Sequence, residues 1–217
     1  MTELWNPQTN VLMQRGIARE SSLILLLRHA DRGPLPEDEP GNEIPLLPSG
    51  VERAVAFGSA LGASLGSIHT SPVLRCVQTA ESIVEGAGLD LQIVSDPHLG
   101  APGVYVTEGE IAWKAWQTMG HEGVVTTLME GTQLPGFADP MDATRELVDW
   151  MRDVVGGRRG VHIFVTHDIL VTVAAAHCLG RRLPTDEWPG FLEHLILYEE
   201  HSRRRVSYRG SSTGLVS

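Results

Sequence analysis

Cysteine is nearly absent: Cys76 and Cys178 are the only two in 217 residues, so no disulfide framework holds the chain together. Both lie among small apolar residues in helical patterns and read as buried free thiols. Lysine is scarcer still, with Lys114 alone. Basic residues number 17 against 27 acidic ones, for a formal net charge of −10. That balance opposes non-specific attraction to nucleic acid or an anionic membrane surface, so an anionic ligand needs a local basic pocket. No apolar run approaches a membrane span, and residues 1–21 carry charges without the apolar centre of a signal peptide. A reducing, cytoplasmic setting is the default expectation. Internal repeats and low-complexity tracts are also missing.

What is present is an ordinary globular composition, 42% hydrophobic and 20% charged, enough for one domain with or without an insertion. The chain is organised around Leu23-Ile24-Leu25-Leu26-Leu27-Arg28-His29-Ala30-Asp31-Arg32-Gly33-Pro34. An aliphatic run without alternation fits a strand buried on both faces of a parallel sheet. The arginines and histidine that follow stand where open α/β sheets hold their ligands, and such nitrogen-rich side chains gather an anion, above all phosphate.

Along the chain, residues 1–20 read as an irregular lead-in and 22–28 as the buried strand. The acidic loop 33–48, with Glu37-Asp38-Glu39, reads as solvated. Ser49 with Glu52 forms a capping-box pattern that starts a helix running to Leu61. Gly62-Ala63-Ser64-Leu65-Gly66 has the spacing of a serine-hydrolase nucleophile elbow, but that motif needs a strand before it and a helix after it. Here the order is helix, then a strand at 67–70. Ser71-Pro72 reads as a helix start, with the helix over 73–85 and Arg75 in its first turn, near an end that favours anions. A strand follows at 91–94.

Between 96 and 136 glycine, proline and tryptophan become frequent, with two short helical pieces at 111–119 and 124–129. This region reads as a cap over the ligand edge, spanning about 96–140, with Trp113 and Trp116 as its packing core; substrate stacking is the alternative for them. An amphipathic helix at 141–155 leads to a strand at 161–166, His167-Asp168, and a small-residue helix at 169–179. Strands at 192–198 and 203–208, the second at an edge, precede a mobile tail over 211–217. His162 and His177 read as core. The expected architecture is a single α/β domain over 1–217, a three-layer α/β/α sandwich with a mostly parallel sheet.

Right-handed crossovers in such a sheet bring Arg28-His29-Asp31-Arg32, Arg75 and His167-Asp168 to one carboxyl edge. With these clusters in view, the sequence resembles the histidine phosphatase superfamily, which includes phosphoglycerate mutases and acid phosphatases. The run from Arg28 to Pro34 is similar to the Arg-His-Gly-x-Arg-x-Pro signature of the acid phosphatase branch. Ser71-Pro72 with Arg75 is similar to the second arginine motif, and His167-Asp168 to the late His-Asp pair of that branch. Ala30 replaces the signature glycine, secretory leader and disulfides are missing, and Leu99-Gly100-Ala101 lacks the glutamate that the mutase-like branch carries after its third strand.

The resemblance implies a phosphoglycerate mutase-like fold and a metal-independent phosphatase acting on a small phosphorylated molecule, without cofactor. His29 would be the nucleophile that becomes phosphohistidine. Arg28, Arg32, Arg75 and His167 would bind the phosphoryl oxygens, and Asp168 would protonate the leaving oxygen. Asp96, Glu108, Glu110 and, less well placed, Glu43 are rivals for the acid. Two other outcomes stay open: a phosphotransferase or mutase using the same intermediate, and a non-catalytic phosphoester-binding module. The natural substrate and the oligomeric state are not legible.

Overall fold

The computed structural model describes residues 21–36 and 39–215. Its seven strands form one sheet in the order β3-β2-β4-β1-β5-β6-β7. The strands are β1 (Ser22–Arg28), β2 (Leu65–Thr70), β3 (Ile93–Ser95), β4 (Gly160–Thr166), β5 (His194–Glu200), β6 (Arg203–Tyr208) and β7 (Ser211–Gly214). The first four run parallel, and β5, β6 and β7 add to the far edge as an antiparallel meander.

The aliphatic run of β1 explains its central position. Leu23, Leu25 and Leu27 point into one apolar cluster, with α1 (Pro48–Leu61) and α2 (Leu74–Ala87). Ile24 and Leu26 point into the other, with α3 (Gly109–Met129), α4 (Pro140–Val155) and α5 (Asp168–Leu179). Neither face has a solvated side, so alternation has no advantage and the sequence shows none. Truncating Leu25 to alanine there would cost about 2–5 kcal/mol, the usual range for a buried leucine. The three-layer α/β architecture is as expected, its sheet largely parallel in the core.

Several local expectations need correction. Helix α1 starts on Pro48 with Leu47 as its cap and no side-chain cap bond, because a proline at the first position already fixes φ and has no N–H to satisfy. Ser49 and Glu52 therefore form no capping box. Helix α2 starts at Leu74 rather than Val73, and Ser71 Oγ accepts from the Val73 amide at 3.3 Å while it also faces His167. The third strand lies at Ile93–Ser95, starting two residues and ending one residue later than expected. The tail expected to be mobile instead forms β7, antiparallel to β6 from Arg205 to Tyr208, so 203–208 is not the edge. The lead-in over 1–20, Glu37, Asp38 and residues 216–217 lie outside the described residues. The helical pieces expected at 111–119 and 124–129 belong to one element, broken where Gly120 takes φ 70°, ψ 174°. Cys76 is buried and Cys178 half-buried, both as free thiols. His162 is buried, whereas His177 is half-buried, its Nε2 2.8 Å from the Leu128 carbonyl.

Ser64 ends a short 3₁₀ turn between α1 and β2, the reverse of the strand-to-helix context an elbow requires. No helix of the described residues is long and apolar enough to cross a membrane.

Candidate active site

Strand register assembles the site. Arg28 of β1 pairs with Thr166 of β4, and Thr70 of β2 pairs with Val165, so the residues leaving these strands emerge side by side. The His29 amide donates to the Thr166 carbonyl at 2.9 Å, and the Ser71 amide to the Val165 carbonyl at 2.9 Å. Backbone pairing thereby fixes where His29 and Ser71 leave their strands, and His167 follows Thr166 directly.

His29 is 2% exposed, and its Nδ1 lies 2.7 Å from the Ala30 carbonyl. A carbonyl only accepts, so Nδ1 holds the proton and Nε2 keeps a lone pair. Arg75 Nε donates to that Nε2 at 3.2 Å. The other Arg75 nitrogens donate to the Gly41 carbonyl at 2.8 Å and to His167 Nδ1 at 3.3 Å. Since a guanidinium cannot accept, His167 carries its proton on Nε2, which faces Ser71 Oγ at 3.2 Å. The two imidazoles meet edge to face, with ring centres 5.6 Å apart.

Burial, followed by His167, Arg75 and Arg28, pushes the His29 pKa down to about 2. Burial, then Arg75, Arg28 and Arg32, lowers His167 to about 3 against the opposing pull of Asp168. Both rings are therefore neutral across the working pH range. Burial would raise the Asp168 carboxyl, but Arg28, His121, His167 and the Ile169 amide together hold it below the ordinary range. Its Oδ2 is 3.2 Å from Arg28 Nη2, and its Oδ1 3.6 Å from His121 Nε2. Arg28 also donates to the Pro189 carbonyl at 2.6 Å and sits 4.3 Å over the Phe191 ring. Arg32 donates to the Gly33 carbonyl at 2.7 Å. The Nε atoms of both arginines are buried without a partner among the described residues.

These groups lie at or beside a cavity of about 910 Å³, lined by His29, Arg32, Arg75, His167 and Asp168. Arg28 does not line it; it acts from behind Asp168. Among the rivals for the acid, Asp96 is taken up by His98, 2.7 Å from its Nδ1, and Glu43, Glu108 and Glu110 do not line the cavity. Glu39, expected to be merely solvated, does line it. Trp113 and Trp116 are half-buried cavity walls, and of the two only Trp116 packs on the core, 5.0 Å from Phe137.

Sequence reasoning missed three contributors. Ser71 looked like a helix cap because Ser-Pro is a common helix start. His121 gave no signal, since only the break at Gly120 turns it toward Asp168. Gly100 follows β3 with φ 147°, and a Cβ there would stand 2.5 Å from Ser71 Oγ and 2.7 Å from His167 Nε2. Gly100→Ala should therefore displace His167 and lower kcat/KM about 100-fold, the scale of an ångström-sized misplacement, with an unchanged far-ultraviolet circular dichroism spectrum.

The fold and this paired-histidine, arginine-rich edge define the class. The model of the histidine phosphatase superfamily (branch 1) matches residues 24–192, and the chain belongs to that superfamily. The branch matched is thus branch 1, although the glutamate expected of its mutase-like members is missing after β3. Among solved structures, a mycobacterial glucosyl-3-phosphoglycerate phosphatase is 18% identical over 88% of this chain and 99% of its own, with TM-score 0.57. A phosphoserine phosphatase from Entamoeba histolytica is 16% identical over 87% and 96%, with TM-score 0.57. A phosphoglycerate mutase from Bacillus anthracis is 14% identical over 89% and 91%, with TM-score 0.52. At these identities the likeness is one of fold. No curated protein matches in sequence.

The depressed histidine pKa values have a consequence for stability. His29 and His194 are 2% and 1% exposed, and burial drives their pKa values down to about 2 and about 4. Below the ordinary imidazole value of roughly 6.5 the unfolded chain takes up protons that these folded sites refuse. Stability then falls with decreasing pH, by roughly 1 kcal/mol per pH unit for each such histidine. The denaturation midpoint in urea should drop steadily from pH 7 to pH 5. A flat midpoint over that window would contradict neutral buried imidazoles.

Proposed function

We propose that the chain hydrolyses a phosphate monoester through a phosphohistidine on His29. The observation that carries this reading is the unprotonated Nε2 of His29, held beside Arg75 and His167 at the cavity. Nε2 attacks phosphorus in line, the N–P bond forms, and the bond from phosphorus to the alcohol oxygen breaks. Arg75 and the unpartnered Nε donor of Arg32, both at the cavity wall, neutralise the equatorial oxygens, where charge accumulates, and Arg28 adds its charge from behind Asp168. The Nε2 proton of His167 reaches the same oxygens once it leaves Ser71.

Asp168 protonates the departing alkoxide. At rest it is ionised, but a phosphoryl dianion competes for Arg28 and repels the carboxylate, raising its pKa as substrate binds. His121, at 3.6 Å, is the route by which a proton enters from solvent. Water then attacks phosphorus, the N–P bond breaks, and the proton that the water loses returns to Asp168. A mutase would share every step up to the intermediate, differing only in the acceptor of the phosphoryl group. Hydrolysis in water enriched in ¹⁸O, with one labelled oxygen in the released phosphate, distinguishes hydrolysis from transfer.

The arginines and imidazoles provide the charge stabilisation that a divalent ion gives elsewhere. Activity should survive prolonged chelation, and vanadate should inhibit competitively. Loss of activity on chelation with recovery on adding Zn²⁺ or Mg²⁺ would oppose this mechanism. The two free cysteines support a reducing, cytoplasmic setting.

A further inference from the structure

We infer that the substrate is the phosphate monoester of an apolar, ring-bearing alcohol with no second anionic group, and that Trp113 is the principal specificity residue. The inference rests on the phosphatase reading above and extends it to the alcohol. The cavity of about 910 Å³ lies at the upper end of the roughly 300–1,000 Å³ that hold drug-sized ligands, far more than a glyceryl group fills.

Away from the phosphoryl pocket its wall is built by Leu35, Tyr105, Val106, Trp113, Trp116 and Ile169. Trp113 and Trp116 are three residues apart on α3, so their rings share one helix face. Packing against Phe137 at 5.0 Å fixes Trp116. The Tyr105 hydroxyl is spent on Thr144 Oγ1 at 2.8 Å and offers no polar group to a ligand. Leu35 is 39% exposed, an apolar side chain left in water.

The polar and charged lining points the same way. Arg75, bonded to His29, Gly41 and His167, and Arg32 both belong to the phosphoryl pocket. His121 is engaged with Asp168. No other cation lines the cavity among the described residues, and Glu39 adds a negative charge. A second carboxylate or phosphate would thus lose its hydration without a partner, and for a sugar's hydroxyls the wall beyond the phosphoryl pocket offers the side chains of Glu39, Asn42 and Gln117 against its six apolar ones. A flat apolar group gains both area and ring stacking against the two indoles.

The test uses primary alkyl phosphates, so that leaving-group chemistry is matched: 2-(1-naphthyl)ethyl phosphate against glycerol 1-phosphate, glucose 6-phosphate and 3-phosphoglycerate. Wild-type kcat/KM should favour the naphthyl compound by about 100-fold or more, the discrimination a hydrophobic pocket can supply. Trp113→Ala should cut that preference about ten-fold, mainly through KM, and Trp113→Phe should retain most of it. Calorimetric binding to the His29→Ala protein gives a readout independent of turnover. Naphthylethyl phosphate bound no tighter than glycerol 1-phosphate would overturn the inference, whatever the enzyme hydrolyses. Tight, Trp113-dependent binding without turnover by the wild-type protein would uphold it and overturn the phosphatase reading instead.

Discussion

Replacing His29 by alanine should lower turnover by about 10⁶-fold, the scale seen when a nucleophile that acts as part of a unit is removed. The Ala30 carbonyl fixes the proton on Nδ1, and burial among cations keeps the ring neutral, so Nε2 is a lone pair facing the guanidinium that would hold the phosphoryl oxygens. Cys76 cannot substitute, since it is a buried thiol whose pKa is pushed up to about 12 by desolvation. Inorganic phosphate should still bind the His29→Ala protein, because Arg32 and Arg75 remain at the cavity wall. His29→Gln, which keeps most of the side-chain volume, separates loss of chemistry from loss of packing. Residual turnover near the wild-type rate in both variants would remove His29 from the mechanism.

The second large effect concerns Asp168. A general acid matters in proportion to how poorly the leaving group departs, so an alkyl alkoxide needs it and a nitrophenolate hardly does. Asp168→Asn should slow phosphorylation by alkyl phosphates by about 10²- to 10⁴-fold and by nitrophenyl phosphate much less. The amide oxygen can still accept from the Ile169 amide, as Oδ1 does at 2.8 Å, so the start of α5 survives. Loss of the partly buried pair with Arg28 should cost about 1–3 kcal/mol in stability, between the ranges for exposed and buried pairs. If Asp168 only caps α5, both substrates slow equally and little. Rapid-mixing phosphorylation rates are required, since slow hydrolysis of the intermediate would mask the difference.

The centre of this fold was legible because β1 is apolar on both faces, and a run such as Leu23 to Leu27 has few other uses in a soluble chain. The clustering of His29, Arg75 and His167 was legible for a related reason: parallel strands deliver their carboxyl ends to one edge. Register was not, since a one-residue slip leaves the apolar pattern of a doubly buried strand unchanged, and it is register that sets Ser71 against His167. The capping signal at Ser49 misled because Pro48 sets the start of that helix, whereas Ser71 does accept from the Val73 amide before α2. Asp168 was legible as a candidate acid, but its ion pairs with Arg28 and His121 were not, because they come from segments 140 and 47 residues away in sequence. Trp113 and Trp116 carry the spacing of a packed helix face, and only the shape of the cavity shows that this face meets open space. The strand β7 hid in a serine- and glycine-rich tail because its pairing partner, not its composition, makes it a strand.

The most direct test of the central claim is to trap the intermediate. Wild-type protein mixed with excess alkyl phosphate, quenched within milliseconds at alkaline pH and digested, should give one phosphorylated peptide by mass spectrometry, carrying the group on His29 and absent from the His29→Ala protein. Phosphate found on another residue, or turnover with no phosphorylated peptide under conditions where nitrophenyl phosphate gives a burst, would contradict it.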